Sequence, residues 1–420
     1  MNKSINYFSL IFLLFPFIVY AQGTAIPMLG FNPDPKSFGL GLSGVSAATN
    51  DPLGFYYNPA LLGFSSQTNN LSIQFYPDKI KWDGIDSYNS VNEGLAVGYN
   101  FSKLLNGLNL SAGVGFISSR YDYVEVLALE GSNLRGFGNA EDKYNAFSLG
   151  VSLDYFVNLS IGLTIKNIDT QIPLSYDLSR WYAESKLNAL DWGLLLNVPI
   201  SKLAFNSILY KPVDNIAFKP VVNLALGYSR SNIGNEVNYS VYSEPLPLTA
   251  RLGYTLSLGT DLLLNDHSIN CFTWDLIIEA EDILVKRDNL GNPVYQGLLG
   301  DIKFGNNLID WKRTDNVTLR KAQKLNLFET VSFLFGSYYT GDVYEYSDRT
   351  TGFVLSTNGI FKILSWNIDA NPYIKFILDH FEIQYVNASL VNKYSFVPPL
   401  NSQYQTDVKA ISVSFSRFSF

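Results

Sequence analysis

Phe147-Ser148-Leu149-Gly150-Val151-Ser152-Leu153-Asp154-Tyr155 is followed closely by Leu159-Ser160-Ile161-Gly162-Leu163-Thr164-Ile165-Lys166. In both stretches every second residue is large and apolar, and the residues between are small or polar. Successive side chains of a strand point to opposite faces, so each stretch predicts a strand with one greasy face and one small, polar face. Val222, Leu224, Leu226 and Tyr228 repeat the pattern, as do Leu252, Tyr254, Leu256 and Leu258. A soluble antiparallel sandwich would turn its apolar face to a core and carry Lys and Glu outside. Here Gly, Ser and Asn fill the polar face, and charged residues make up only 16% of the chain; an ordinary soluble domain has about 25%. A transmembrane barrel instead turns the apolar face to lipid and the small face inward, and its closure satisfies every backbone amide. The alternation therefore predicts an all-β protein, a transmembrane antiparallel β-barrel.

Outward from that stretch, strand candidates recur at 71–76, 95–101, 110–118, 190–197, 221–229, 249–258, 272–280, 331–339, 353–361, 381–390 and 408–420, with 294–304 a weaker one. Single-chain bacterial barrels take even numbers, which predicts about fourteen strands. The charged stretches 122–145, 168–186 and 282–324 read as outer loops. The last of these holds Lys286, Arg287, Lys312, Arg313, Arg320, Lys321 and Lys324, either a solvated loop or a patch for acidic lipid groups or a protein partner. At the C-terminus Val408, Ile411, Val413 and Phe415 alternate, and Phe418 and Phe420 continue one residue out of phase. The slip at Ser416–Arg417 predicts a bulge. Phe418 and Phe420 resemble the terminal signature that barrel-assembly machinery recognises, which implies that machinery and outer-membrane lipid as partners.

Residues 1–21 read as a signal peptide. Lys3 precedes an apolar run from Tyr7 to Tyr20, with Ala21 at the cut. That run is broken by Pro16 and is shorter than the roughly 20 residues a membrane helix needs. The organisation expected is a signal peptide at 1–21, an N-terminal plug or latch at 22–66 and an outer-membrane barrel at 67–420. A net charge of -7 and a pI near 5.0 exclude nucleic acid as the main partner, because phosphate binding needs a basic face. One cysteine excludes a disulfide framework and a cysteine-rich zinc site. The two histidines, His267 and His380, do not make a multi-histidine metal site, and no phosphate-cradling loop is present. No catalytic residue, metal or cofactor is expected, and the chain does not read as an enzyme.

Asp154, Lys166, Asp191, Arg251, Asp275, Glu279 and Glu382 fall on the inward phase of their strands. Buried charges need partners, so one reading is that they pair and brace the barrel; the other is that they line the path of a solute. Leu334 and Ile277 are apolar exceptions on that phase.

One motif resembles a known family. Pro35-Lys36-Ser37-Phe38-Gly39-Leu40-Gly41-Leu42-Ser43-Gly44-Val45-Ser46-Ala47-Ala48-Thr49-Asn50-Asp51-Pro52 runs on to Tyr57-Asn58-Pro59-Ala60-Leu61-Leu62-Gly63. This is similar to the N-terminus of PorV/PorQ-type outer-membrane proteins and, more loosely, of FadL-type transporters of hydrophobic molecules. Pro247-Leu248-Thr249-Ala250-Arg251-Leu252-Gly253-Tyr254 resembles a mid-barrel strand of the PorV-like group. The resemblance implies a fourteen-stranded barrel in the outer membrane of a Gram-negative bacterium. It implies a role in type IX secretion, docking a translocon or secreted cargo through the loops. The alternative it implies is a FadL-like transporter whose lumen is blocked by an N-terminal hatch. Physically, Pro59 restricts Asn58 to extended geometry and suits the first turn of a helix that Asn58 would cap. Ala60 and Gly63 permit close backbone approach. Asn58, Pro59, Ala60 and Gly63 thus read as a structural latch, with ligand contact the other reading.

Overall fold

The computed structural model describes residues 24–31, 33–47, 51–68, 70–82, 89–105, 108–130, 133–173, 182–204, 208–213, 215–239, 243–265, 267–339, 347–367, 371–393 and 403–418. Fourteen strands form one closed antiparallel ring. They are β1 (Asn70–Phe75), β2 (Asn89–Asn100), β3 (Asn109–Glu130), β4 (Asn133–Asp154), β5 (Asn158–Pro173), β6 (Tyr182–Val198) and β7 (Ile216–Gly234), then β8 (Thr249–Leu264), β9 (His267–Ile283), β10 (Val317–Leu327), β11 (Val331–Tyr339), β12 (Ser347–Ser356), β13 (Phe381–Lys393) and β14 (Gln403–Ser416). Each strand pairs with its neighbour in sequence, and β1 closes the ring against β14, from Asn70↔Ser416 to Phe75↔Ile411. The start of β1 and the end of β14 lie together at one end, the terminal end. Short turns such as 155–157 and 328–330 join strands there, whereas the connection 284–316 lies at the opposite, loop end.

The two faces separate as the alternation requires. Ile161 and Leu163 are 55% and 53% exposed, and Val114, Phe147, Leu149, Leu159 and Ile165 beside them are comparably bare. Ser148, Ser152, Ser160 and Thr164, on the opposite face of the same strands, are buried. A wide band of bare aliphatic side chains has no place in water; it is the lipid-facing belt of a transmembrane-type barrel. Among the described residues no helix is long and apolar enough to cross a membrane.

The structure corrects several boundaries. The strand missing from the sequence reading is β10, which begins inside the expected loop 282–324 and runs on to Leu327. The weak candidate 294–304 contributes only Pro293–Tyr295, paired with Val285–Arg287 in a small hairpin outside the ring. Alternation is broken in β10 because Lys321 and Gln323 interrupt its outward apolar row between Leu319 and Leu325; its inward Arg320 and Lys324 are each matched to an acid on β9. The expected loop 122–145 is largely ladder: β3 and β4 are 22 residues each and pair well beyond Tyr121↔Asp142. About ten residues span a bilayer, so the hairpin stands clear of lipid, where the greasy face is no longer required. The expected loop 168–186 shrinks similarly, since β5 runs to Pro173 and β6 starts at Tyr182. The candidate 353–361 ends early at Ser356, and helix α4 (Asn358–Asn367) follows; the short α3 (Ile200–Ala204) comes earlier, after β6. Val408 is buried on the inward face, out of phase with Ile411, Val413 and Phe415. The slip at Ser416–Arg417 is not a bulge. Neither ladder of β14 shifts register, and Arg417, at φ 61°, leaves the sheet in left-handed conformation.

Candidate functional site in the barrel lumen

Inside the ring, the large apolar side chains come mostly from the N-terminal segment rather than from the wall. Met28, Leu29, Phe38, Leu53, Phe55, Tyr56, Tyr57, Leu61 and Leu62 are all buried and form one cluster with inward-facing wall residues. The segment contains α1 (Pro35–Gly39) and α2 (Ala60–Ser65). It starts near the loop end, where the Ala25 N–H donates to the Pro245 carbonyl, and finishes at Asn70 at the terminal end. Asp34 caps α1 by accepting from the Lys36 N–H at 3.1 Å. Burial, with the Asp51 carboxylate beside it, pushes the Asp34 carboxyl well above the ordinary carboxylate range, against the pull of Lys36.

A row of glycines makes room for this segment. Gly98, Gly113, Gly150, Gly162 and Gly193 stand directly opposite one another on β2 to β6. A Cβ on any of them would meet Asn58, Pro59, Leu62, Gly63 or Ser66 at less than van der Waals distance. Gly63 is tight from the other side: a Cβ there would lie 2.5–2.7 Å from the Val151 backbone. Asn58 is fully buried; its side-chain amide donates to the Val45 and Leu194 carbonyls at 2.6 and 3.0 Å, and its Oδ1 accepts the Ala60 N–H at 3.1 Å. Asn58, Pro59, Ala60 and Gly63 thus sit together at the wall.

The inward charges fall into groups. Lys166 and Asp191 pair at 2.7 Å, and the Lys166 ammonium stands 4.5 Å from the centre of the Tyr56 ring. Arg251 pairs with Glu279 at 2.7 Å and also with Glu281, while its guanidinium stacks 3.4 Å from the Tyr57 ring centre. Arg320 joins the same group, 2.8 Å from Glu281. The other oxygen of Glu279 accepts the Gly44 and Val45 N–H groups at 2.8 and 2.9 Å, so this ion cluster holds the segment's backbone. Asp275 pairs with Lys324 at 2.9 Å. Asp154 instead accepts from Asn109 at the terminal end, and Glu382 accepts from Ser356 and Gln384. Sequence reasoning missed Glu281 and the two tyrosines, and it put Arg320 and Lys324 in an outer loop where the structure turns them into the lumen. Glu281 was within reach, lying two residues beyond Glu279 on the same strand face. Leu334 and Ile277, the apolar inward positions, are buried against Leu40 and Ala47 of the segment.

Beneath the segment a cavity of about 450 Å³ occupies the terminal half of the lumen. Leu40, Ala47 and Phe64 roof it, and Asn270, Asp275, Lys324, Glu329, Glu382 and Gln384 are among its walls. The loop half is different. The β1–β14 ladder stops at Phe75↔Ile411, and Ile80–Lys81 rejoins the sheet against β2 alone among the described residues. Behind this interruption Tyr76, Ile80, Trp82, Val408 and Ala410 pack in one buried apolar cluster with Phe38 and Met28. The Trp82 ring lies 4.4–5.8 Å from Phe31, Phe38 and Tyr121.

Fold and lumen together define a closed transmembrane-type β-barrel threaded by its own N-terminal segment. No family model matches the chain, and no curated protein does. Among solved structures it is similar to the Pseudomonas putida toluene transporter TodX, with 10% identity over 92% of this chain and 100% of the other at a TM-score of 0.39. It is also similar to the Ralstonia pickettii toluene transporter TbuX, with 12% identity, 92% and 98% coverage and a TM-score of 0.37. A Pseudomonas aeruginosa FadL homologue gives 11%, 92% and 98%, and 0.35. At that likeness the strand ladders, not the neighbours, establish the barrel. The expected signal peptide at 1–21 and Phe420 lie outside the described residues; Phe418 is described, its ring stacked 5.1 Å from Phe415.

Proposed function

We infer that this chain is an outer-membrane barrel of a Gram-negative bacterium that passes small hydrophobic molecules, with residues 22–66 as its hatch. The observation that carries this reading is the interrupted β1–β14 ladder backed by an apolar cluster. A hydrophobe leaving the lumen there meets Trp82, Ile80 and Val408 rather than the polar cavity below. Transfer of apolar surface from water to such a cluster is favourable at roughly 25 cal/mol per Å². Asn58, Pro59, Ala60 and Gly63 act as the latch that seats the hatch, and the paired inward charges brace it. The test is uptake of labelled toluene by cells whose lipopolysaccharide layer is intact. The Ser46 hydroxyl lies 2.9 Å from that of Thr255 on β8, so Ser46→Cys with Thr255→Cys, in a Cys271→Ser background, locks the hatch to the wall. Uptake is expected to fall to the rate of cells lacking the protein and to recover on reduction. Uptake no faster than in those cells, even when reduced, sinks the reading.

A second reading, the PorV/PorQ-type role in type IX secretion, draws support from the hairpin of β3 and β4, whose 22-residue strands reach beyond the membrane. Replacing residues 124–138 with a two-residue turn is expected to leave the barrel folded, scored as heat-modifiable migration on gels, because the β3–β4 pairs up to Asp122↔Glu141 and all pairs with β2 and β5 are retained. Loss of a co-purified translocon or cargo protein on that trimming, with toluene uptake unchanged, would favour docking over transport.

A further inference from the structure

We propose that the helical connection between β12 and β13, α4 (Asn358–Asn367) with α5 (Pro372–His380), is an interfacial anchor that lies in the phospholipid leaflet at the terminal end of the barrel. The inference rests on the membrane-barrel reading and concerns a part of the chain that the transport reading does not use.

The connection is unusually apolar for a water-facing turn. In α5, Tyr373, Ile374, Phe376 and Ile377 are all exposed, Tyr373 by 80%. In α4, Ile360, Ile363 and Leu364 are about half exposed and share one helical face at i, i+3, i+4 spacing. The opposite face of α4 is tied to the barrel: Asn358 and Lys362 both reach Glu329, and the Trp366 ring stacks on His267. The apolar stripe is therefore held outward by polar fixings rather than left loose.

What covers the stripe follows from where α5 sits. The Phe376 ring centre lies 5.6 Å from that of Phe415, and the His380 Nδ1–H donates to the Ser416 carbonyl at 2.8 Å. Phe415 pairs across the ladders with Leu71 on one side and Phe381 on the other. One step along, Val413 pairs with Ile73 and Ile383, both exposed on the outward face. The apolar surface of α5 is thus continuous with the lipid-facing belt at its lower rim. An amphipathic helix that meets a bilayer edge-on buries its apolar face at the headgroup boundary, with its cations at headgroup level. Lys375 provides such a cation on α5.

The test uses the full-length barrel in phospholipid vesicles, with an environment-sensitive fluorophore on single cysteines in a Cys271→Ser background. Labels at Ile374→Cys and Ile377→Cys are expected to be quenched about threefold more by lipids brominated near the headgroup than a label at Asp288→Cys in the opposite loop, as for a helix at the interface. Ile161→Cys reports the belt, and should be quenched most by bromine deep in the chain. Phe376→Ala, which removes the ring packed against Phe415, should lower quenching at Ile374→Cys and leave Ile161→Cys unchanged. If Ile161→Cys is quenched while the helix labels behave like Asp288→Cys, the anchor is overturned and the barrel stands. If Ile161→Cys is not quenched either, the membrane reading fails with it. Helix labels shielded only on addition of a periplasmic extract would assign the face to a protein and overturn the proposal.

Discussion

Glu279→Ala is expected to cost about 3–5 kcal/mol of barrel stability, the penalty for stranding a buried charge after its partner is removed. Two things are lost at once. Arg251 loses the carboxylate 2.7 Å away, and the Gly44 and Val45 N–H groups lose the oxygen they share. Glu281 still faces Arg251 and Arg320, which places the effect toward the lower end of that range. Glu279→Gln keeps an acceptor for the two amides and should cost distinctly less. Urea unfolding in vesicles reads the difference. A change below about 1 kcal/mol for the alanine variant, the size of a surface ion pair, would mean that the cluster is solvated and braces nothing.

The second large effect belongs to the glycine row. Gly162→Val is expected to unseat the N-terminal segment, because the new side chain would be built onto the Pro59–Ala60 backbone, which has no rotamer by which to yield. Overpacking of this kind costs about 1–3 kcal/mol and occasionally more. Ile161→Ala, one residue along and facing lipid, should leave the segment in place. A cysteine at the buried Ser46 gives the readout, with Cys271 replaced by serine. It should resist maleimide in the parent and in the Ile161→Ala variant, and react within minutes when Gly162 is valine. Equal protection in all three would show that the row does not seat the segment.

The barrel was legible because lipid imposes one rule on every membrane-spanning residue of a strand, and alternation reports that rule directly. Legibility ended where the rule lapses. The outer half of the β3–β4 hairpin obeys water rather than lipid, and so read as loop. β10 hid its phase because Lys321 and Gln323 interrupt its outward apolar row; Gln323 accepts the Trp274 indole N–H of the neighbouring strand, a relation between strands that a single chain position does not display. The Asn58-Pro59-Ala60 stretch was conspicuous as a motif, yet its seat was not. The seat depends on five glycines from five strands standing in register, and register belongs to the sheet rather than to any one segment. The same holds for Tyr56 and Tyr57, which are ordinary aromatics until Lys166 and Arg251 are placed beneath their rings.

The short closure between β1 and β14 also ties the wall to its contents. Among the described residues six pairs join these strands, as six join β1 to β2, and β1 is the direct continuation of the segment that fills the interior. The seam of the ring is therefore tethered to what the ring encloses. A pull that parts β1 from β14 is passed straight along the chain to the stretch from Asn58 to Ser66, which the glycine row seats against the wall.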